Sequence, residues 1–185
     1  MGRFPFRWWA LVVFLVFLDQ ALKFWVKNNM SIGEDIRIAS WFFLYFVENN
    51  GFAFGYEFFG AYGKFFLTLI RLVFVFFIYR WICDLVNRGV RGPVFYGLLL
   101  VFSGAIGNIV DSVFYGVFYG YAPLFFGRVV DMFYFPLFSG SYPEWVPFFG
   151  GEPFVFFRYI FNVADSCITI GGGVLLFCYK SLDWK

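Results

Sequence analysis

Four long runs of apolar residues divide the chain, at about residues 8–26, 65–86, 94–114 and 156–179. Each run is close to the ~20 residues that an α-helix needs to cross the hydrocarbon core of a bilayer. Two more polar segments, residues 28–63 and 115–155, follow the first and the third run. The pattern predicts one membrane domain over residues 1–185, with four transmembrane helices and two segments on the same side.

The distribution of Lys and Arg orients these helices. Seven basic residues fall on the side of both termini: Arg3, Arg7, Arg80, Arg88, Arg91, Lys180 and Lys185. Five fall on the other side: Lys27, Arg37, Lys64, Arg128 and Arg158. Because positive loops stay inside, we expect both termini in the cytoplasm and the two larger segments outside. No small-residue cleavage site follows the first run, so we expect it to be retained.

The first outer segment predicts a small sheet and a short helix. Ile36 to Val47 is rich in β-branched and aromatic residues, which favours short strands. Asn50-Gly51 is typical of a hairpin turn. The stretch from Tyr56 to Gly63 carries aromatic residues between glycines, and we expect a short helix at the membrane interface there.

The second outer segment contains a candidate acid and an aromatic loop. Asp131 follows Val129 and Val130, as at the end of a strand or the start of a helix; a solvated loop acid or a helix N-cap is the alternative. Residues 134–157 contain several prolines and glycines. So many helix breakers exclude a fifth span, and an aromatic loop at the membrane surface is expected.

Composition narrows the class of protein. Apolar residues make up 62% of the chain, charged residues 14%, and mean hydropathy is +0.75. A soluble domain has about 25% charged residues. A net charge of +2 gives no reason to expect nucleic acid as a partner. The chain has no His, which excludes His-based triads and Cys–His pairs, and its three cysteines lack the spacing of a metal site.

A repeated Asn-x-x-Asp spacing marks two of the apolar runs. Asp165 lies inside the fourth run, where a carboxylate costs about 2.5–3.5 kcal/mol, so it requires a partner or a purpose. Asn162 lies three residues earlier, and on one helical face its amide would donate to Asp165. Asn108 and Asp111 repeat the spacing in the third run, after Gly104 and Gly107, two glycines that allow another helix to approach closely. The repetition predicts two walls of one polar pocket.

The first and second runs also carry charges. Asp19 and Lys23 are four residues apart and would pair on one helical face. Either the pair anchors the helix end, with Lys23 extending outward, or it contacts substrate. Arg71 lies in the second run, and the sequence names no partner for it.

Without His, the available chemistry is that of carboxylates. Two carboxylates held close together share a proton, so that one activates water while the other polarises a carbonyl group. Asp165 is one member, and spacing leaves Asp111 and Asp131 open as the other. A proton-coupled transporter, a carboxylate-bound divalent metal site and a non-catalytic assembly subunit are rival interpretations of the same acids.

Five ordered blocks resemble the signal peptidase II family, the lipoprotein signal peptidases of bacterial inner membranes. The blocks are Asp19-Gln20-x-x-Lys23, Asn49-x-Gly51-x-Ala53-Phe54, Gly104-Ala105-x-Gly107-Asn108-x-x-Asp111, Val129-Val130-Asp131 and Phe161-Asn162-x-Ala164-Asp165. They extend over residues 19–165 and therefore cover most of the chain.

The resemblance implies a fold of four transmembrane helices with a small β-rich cradle and a short interfacial helix outside. It implies an aspartyl endopeptidase that removes the signal peptide of a diacylglyceryl-modified prolipoprotein, cutting before the lipidated cysteine. Asp131 and Asp165 match the catalytic dyad, near the outer face of the membrane. The other matching positions would support the pocket or contact substrate: Asp19, Lys23, Asn49, Gly51, Asn108, Asp111 and Asn162.

The resemblance implies no metal or organic cofactor, and a monomer in contact with membrane lipid. Two departures stand out. An arginine usually follows the Asp111 position, where this chain has Ser112, and Arg128 or Arg158 is expected to substitute for it. The segment between Asp131 and Asn162 is also longer than is usual.

Overall fold

The computed structural model describes residues 6–50 and 60–178. Among these residues, three helices are long and apolar enough to cross a membrane. They are α1 (Phe6–Asn29), α2 (Gly60–Asn87) and α3 (Pro93–Val110), which continues through a π-helical turn (Asp111–Tyr115) to Phe118. A further apolar helix, α4 (Val163–Cys178), has 16 residues.

Six strands form two small sheets. The strands are β1 (Asp35–Ala39), β2 (Phe42–Asn49), β3 (Val129–Tyr134), β4 (Phe138–Ser141), β5 (Pro153–Phe156) and β6 (Ile160–Phe161). The larger sheet is antiparallel with the order β1-β2-β3-β6, and β4 and β5 form a separate hairpin. The prediction of strands within Ile36 to Val47 is confirmed. Because β3 pairs with the short strand that directly precedes α4, the sheet brings residues 131 and 162 together.

The fourth apolar run is only partly helical. The prediction began the helix at residue 156, but Phe156 lies in β5 and α4 begins at Val163. Phe161 instead pairs with Phe133 of β3. An apolar run that is rich in aromatic residues suits a strand as well as a helix, so hydropathy alone did not separate them. The prediction for this boundary was wrong.

Helix α3 is central and packs closely on α4. Most of its residues are buried. A Cβ atom added at Gly104 would lie 2.2 Å from the carbonyl oxygen of Ala164, and one at Gly107 would lie 2.6 Å from Oδ2 of Asp19. At Gly104 the backbones of α3 and α4 therefore approach more closely than a larger residue permits, and at Gly107 the Asp19 side chain fills the space that a Cβ atom would need. The predicted close approach at these two glycines is confirmed.

The predicted aromatic loop contains the β4–β5 hairpin. Its connecting residues include Trp145 and Phe148, which are 81% and 96% exposed. Of the predicted interfacial helix from Tyr56 to Gly63, residues 56–59 lie outside the described part of the chain, and Gly60–Gly63 form the first turn of α2.

Candidate active site

Asp131 lies in the middle of the central strand β3. Its residue is 3% exposed and its backbone pairs with Val47 of β2. Burial on a strand contradicts the alternative of a solvated loop acid or an N-cap. Its carboxylate accepts hydrogen bonds from two amides, Asn162 Nδ2 to Oδ1 at 2.7 Å and Asn49 Nδ2 to Oδ2 at 3.2 Å. The strand thus holds this carboxylate away from solvent, and both side chains that donate to it among the described residues are neutral.

Asn162 is the N-cap of α4. Its Oδ1 accepts from the backbone N–H of Asp165 at 2.8 Å, and Asp165 Oδ2 lies 3.4 Å from the backbone nitrogen of Asn162. This reciprocal arrangement is a capping box. The prediction that the Asn162 amide donates to Asp165 on one helical face was wrong, because Asn162 precedes the helix. Its amide is free to donate to Asp131 instead, so one side chain contacts both acids.

Asn108 of α3 completes the link between the two walls. Its Nδ2 donates to Asp165 Oδ1 at 2.8 Å, and its Oδ1 lies 3.3 Å from Asn162 Nδ2. Asp165 itself is half-buried. Three of the four residues of the repeated Asn-x-x-Asp spacing, Asn108, Asn162 and Asp165, therefore lie in one polar site. Asp131 and Asp165 are called the aspartate pair below.

Burial raises the pKa of Asp131 to about 7, and the nearby charge of Asp165 acts in the same direction. Hydrogen bonds from Asn49 and Asn162 oppose the increase, because they stabilise the ionised form. At neutral pH, Asp131 is therefore balanced between its protonated and its ionised form. A carboxyl group in this condition is suited to give up or retain a proton during a reaction.

A second group of acids surrounds Lys23, which is completely buried. Its Nζ lies 2.8 Å from Asp19 Oδ2, 2.6 Å from Asp111 Oδ2 and 2.9 Å from Asn108 Oδ1. An outward extension of Lys23 was therefore a wrong alternative. Asp19, Lys23 and Asp111 are called the lysine cluster below. An ammonium group has three N–H donors, and here each of them faces an acceptor.

The lysine cluster joins the elements that carry the aspartate pair. Asp19 Oδ1 accepts from the backbone N–H of Ala164 in the first turn of α4 at 2.8 Å. Asp111 Oδ2 lies 3.4 Å from the backbone nitrogen of Val130 in β3. Gln20 also donates to Asp111 Oδ1 at 2.8 Å. The cluster thus ties α1 and α3 to the strand and the helix on which the pair lies.

Arg71 of α2 lies beside Ser112, the residue that stands where the resemblance leads one to expect an arginine. Its Nη1 donates to Ser112 Oγ at 3.1 Å. Arg128 instead pairs with Glu48 of β2 at 3.1 Å, and Arg158 is exposed. The expectation that Arg128 or Arg158 substitutes for the missing arginine is therefore not met at Ser112. Gly51 lies outside the described residues.

The fold and the site together define a membrane enzyme of the aspartic-peptidase type. A sequence model of the family described as signal peptidase (SPase) II matches residues 11–181. A lipoprotein signal peptidase of Porphyromonas gingivalis is 47% identical to this chain, over 92% of it and 81% of the relative. One from Amoebophilus asiaticus is 34% identical, over 95% and 78%.

The chain belongs to the signal peptidase II family, and the resemblance drawn from the five sequence blocks is confirmed. A solved bacterial membrane enzyme, determined by the in meso method at 2.3 Å resolution, has a similar structure. It superposes with a TM-score of 0.64 and 26% identity, covering 98% of this chain and 94% of the other.

Proposed function

We propose that this chain removes signal peptides from diacylglyceryl-modified prolipoproteins, with Asp131 and Asp165 as its catalytic dyad. The observation that carries the assignment is the side chain of Asn162, which donates to Asp131 and caps the helix turn that presents Asp165. Membership of the signal peptidase II family supports the reaction, and the same contact supports the choice of residues. Cleavage falls on the N-terminal side of the lipidated cysteine.

The different surroundings of the two carboxyl groups assign their roles. Asp131 is the more buried, and its pKa of about 7 keeps much of it protonated at neutral pH, so it hydrogen-bonds and polarises the scissile carbonyl group. Asp165 is half-buried, and the Asn108 amide orients its carboxylate, so we assign it the role of taking a proton from water. The water oxygen then bonds to the carbonyl carbon, the carbon–nitrogen bond breaks, and the leaving amine takes up the proton that Asp165 removed from water.

The Asp111 side chain is the alternative partner that the sequence left open. It lies against Lys23 at 2.6 Å and is completely buried. A carboxylate that is already neutralised by an ammonium group is a poor proton carrier, because its charge is compensated by that partner. We therefore assign Asp111, Asp19 and Lys23 to the support of the pocket, and Asn49, Asn108 and Asn162 to the positioning of the dyad.

The membrane arrangement follows the same logic. In our proposal α4 is the fourth span, since it packs along the central helix α3 and begins beside the sheet. The larger sheet forms an extracytoplasmic cradle, and both termini lie in the cytoplasm. Asp131 on the sheet and Asp165 in the first turn of α4 then meet at the outer end of the bundle, where water reaches a substrate whose acyl chains remain in the bilayer.

The decisive experiment incubates the purified monomer with a diacylglyceryl prolipoprotein and sequences the N-terminus of the product. A new N-terminus at the lipidated cysteine is expected. Asp131→Asn and Asp165→Asn should each reduce cleavage by at least about 100-fold while the protein still accumulates in membranes. Asp35→Asn, an exposed acid of the same sheet, is the matched control and should cleave normally. Full activity in either dyad variant would remove the assignment.

The rival functions give different results in the same preparation. If a divalent metal carried the reaction, chelation would stop cleavage and added metal would restore it. If the chain were a transporter, sealed vesicles would accumulate solute or protons without any cleavage. The dyad requires cleavage that persists in chelator and is absent from both Asn variants.

A further inference from the structure

Arg71 lies on the face of α2 that turns toward the bundle. Seven of the buried and half-buried residues of this helix recur at alternating spacings of four and three: Lys64, Thr68, Arg71, Val75, Ile78, Ile82 and Leu85. Its neighbours Ile70 and Leu72 are exposed, at 64% and 37%. A charge in a membrane-crossing helix that faces inward has a role within the bundle, since an arginine there is otherwise costly.

A chain of hydrogen bonds leads from Arg71 to the aspartate pair. Arg71 Nη1 donates to Ser112 Oγ at 3.1 Å, and Ser112 Oγ donates to the carbonyl oxygen of Asn108 at 2.8 Å. Asn108 Nδ2 donates to Asp165 Oδ1 at 2.8 Å. The guanidinium group thus holds the same turn of α3 that supplies the amide contact to Asp165.

The charges around the pair also point to Arg71. On α1 and α3, Lys23 directs its three donors at Asp19, Asp111 and Asn108, although its charge also acts on Asp131. Arg71 is close enough for its charge to interact with Asp165, Asp111 and Asp131.

The remaining nearby cations have other hydrogen-bond or ion-pair partners. Lys64 of α2 donates to Asn50 at 3.2 Å. Lys27 of α1 and Arg128, which precedes β3, both pair with Glu48 of β2. Arg71 is thus the cation that reaches the Asn108 turn from α2, through the Ser112 hydroxyl group.

We propose that Arg71 is a positioning residue for the dyad: from α2 it fixes the Ser112 turn of α3, which carries the Asn108 amide that contacts Asp165, and it places a positive charge near the pair. Ser112 lies where the resemblance leads one to expect an arginine, so in this chain the cation reaches the site from a different helix. The inference rests on the proposed function, because it concerns the same dyad.

The test compares Arg71→Gln with Arg71→Lys in the prolipoprotein cleavage assay. For Arg71→Gln we expect kcat at pH 7 to fall about 10- to 100-fold with KM little changed, because the residue acts on the dyad and not on the substrate. The acidic limb of the kcat/KM–pH profile should move upward by about one pH unit, since a carboxylate that loses a nearby cation retains its proton to higher pH. Arg71→Lys should keep the limb within about 0.3 unit of wild type, because it keeps the charge.

Controls separate this role from a structural one. Arg80→Gln removes an exposed arginine of the same helix and should behave as wild type. Arg71→Gln/Ser112→Arg returns a cation to the site from α3, and its kcat should be at least about tenfold higher than that of Arg71→Gln alone. If Arg71→Gln does not accumulate, Arg71→Met, which suits a lipid-crossing helix, gives the same measurement.

An unshifted acidic limb in the folded neutral variants would overturn the inference, and so would a shift of equal size in Arg71→Lys. Lack of rescue in the folded double variant would also count against it. A failure of the proposed function itself is distinguishable, because then the wild-type chain would not cleave the prolipoprotein at all.

Discussion

The lysine cluster and the aspartate pair each contain two aspartates, and they differ in which groups face the carboxylates. In the cluster, a completely buried ammonium group lies 2.8 Å and 2.6 Å from two carboxylates. In the pair, neutral amides of Asn49, Asn108 and Asn162 take that place. A neighbouring cation favours the ionised form of a carboxylate, whereas amides orient the carboxylate and still allow it to change protonation state. The first group is suited to hold the fold and the second to move protons.

The largest effect is expected from breaking the lysine cluster. Lys23→Met leaves Asp19 and Asp111 buried without their cation, and breaking a buried ion pair in this way costs about 3–5 kcal/mol. Since Asp19 also accepts from the first turn of α4 and Asp111 approaches β3, the loss should loosen both elements of the site. We expect little protein to accumulate in membranes, measured by immunoblotting, and a lowered thermal midpoint in detergent.

The matched control removes the whole cluster. In Asp19→Asn/Lys23→Met/Asp111→Asn no buried charge is left uncompensated, and such replacements are often nearly neutral. This triple variant should accumulate better than Lys23→Met alone. If the single variant is as stable as wild type, the cluster is not the structural element that its burial indicates.

The next largest effect is expected at Asn162, where the two groups of contacts meet. Asn162→Ala removes the N-cap of α4, worth about 1 kcal/mol, and also the 2.7 Å contact to Asp131. Both the thermal midpoint and kcat should fall. Asn162→Ser keeps a capping oxygen but has no amide, so it should retain stability and still lose about tenfold or more in kcat. Wild-type kcat in Asn162→Ser would show that the amide contact to Asp131 is unimportant.

The sequence predicted the elements of this fold well, because long apolar runs and β-branched stretches report directly on lipid and sheet environments. It was less able to predict partners. A spacing of three residues between Asn162 and Asp165 fits both the face of a helix and a capping box, so the sequence does not distinguish the two. The pairing of Phe161 with Phe133 shows that the chain is still extended just before Asn162. Hydropathy contains no information on that pairing, so the start of α4 was misplaced.

The choice of Asp131 also depended on more than spacing. Spacing along the chain does not distinguish Asp111 from Asp131 as the partner of Asp165, and only the resemblance favoured Asp131. The structure supplies the physical reason, since Lys23 compensates Asp111 while Asp131 faces amides. The contact of Arg71 with Ser112 joins helices that are distant in the sequence, and no local signal could have named it.

A third prediction concerns the stability cost of the pair. The pKa of Asp131 rises from an ordinary 3.8 to about 7 on folding, so the folded chain holds its proton more tightly than the unfolded chain. This group therefore lowers stability progressively as pH rises from about 4 to 7, by about 1.4 kcal/mol per unit of pKa difference. Asp131→Asn does not titrate, so relative to wild type its thermal midpoint should be higher at pH 8 than at pH 4. If the thermal midpoint of Asp131→Asn differed from that of wild type by the same amount at both pH values, the raised pKa would be contradicted. For Asp35→Asn this difference should not depend on pH.

The smallest effect is expected at Asn49, which changes the pKa of Asp131 but does not fix the position of either acid. Its amide lies 3.2 Å from Asp131 Oδ2 and lowers the pKa of that carboxyl group, in opposition to burial. Asn49→Ala should therefore raise this pKa further, and because the reaction requires protonated Asp131, the alkaline limb of the kcat/KM–pH profile should move upward by less than about one unit. At pH 7 the rate should change by no more than about threefold, since one neutral hydrogen bond contributes about 0.5–1.5 kcal/mol. Asn29→Ala, an exposed amide at the end of α1, is the control and should leave the profile unchanged. A downward shift of the alkaline limb in Asn49→Ala would mean that the titrating group is not the protonated Asp131.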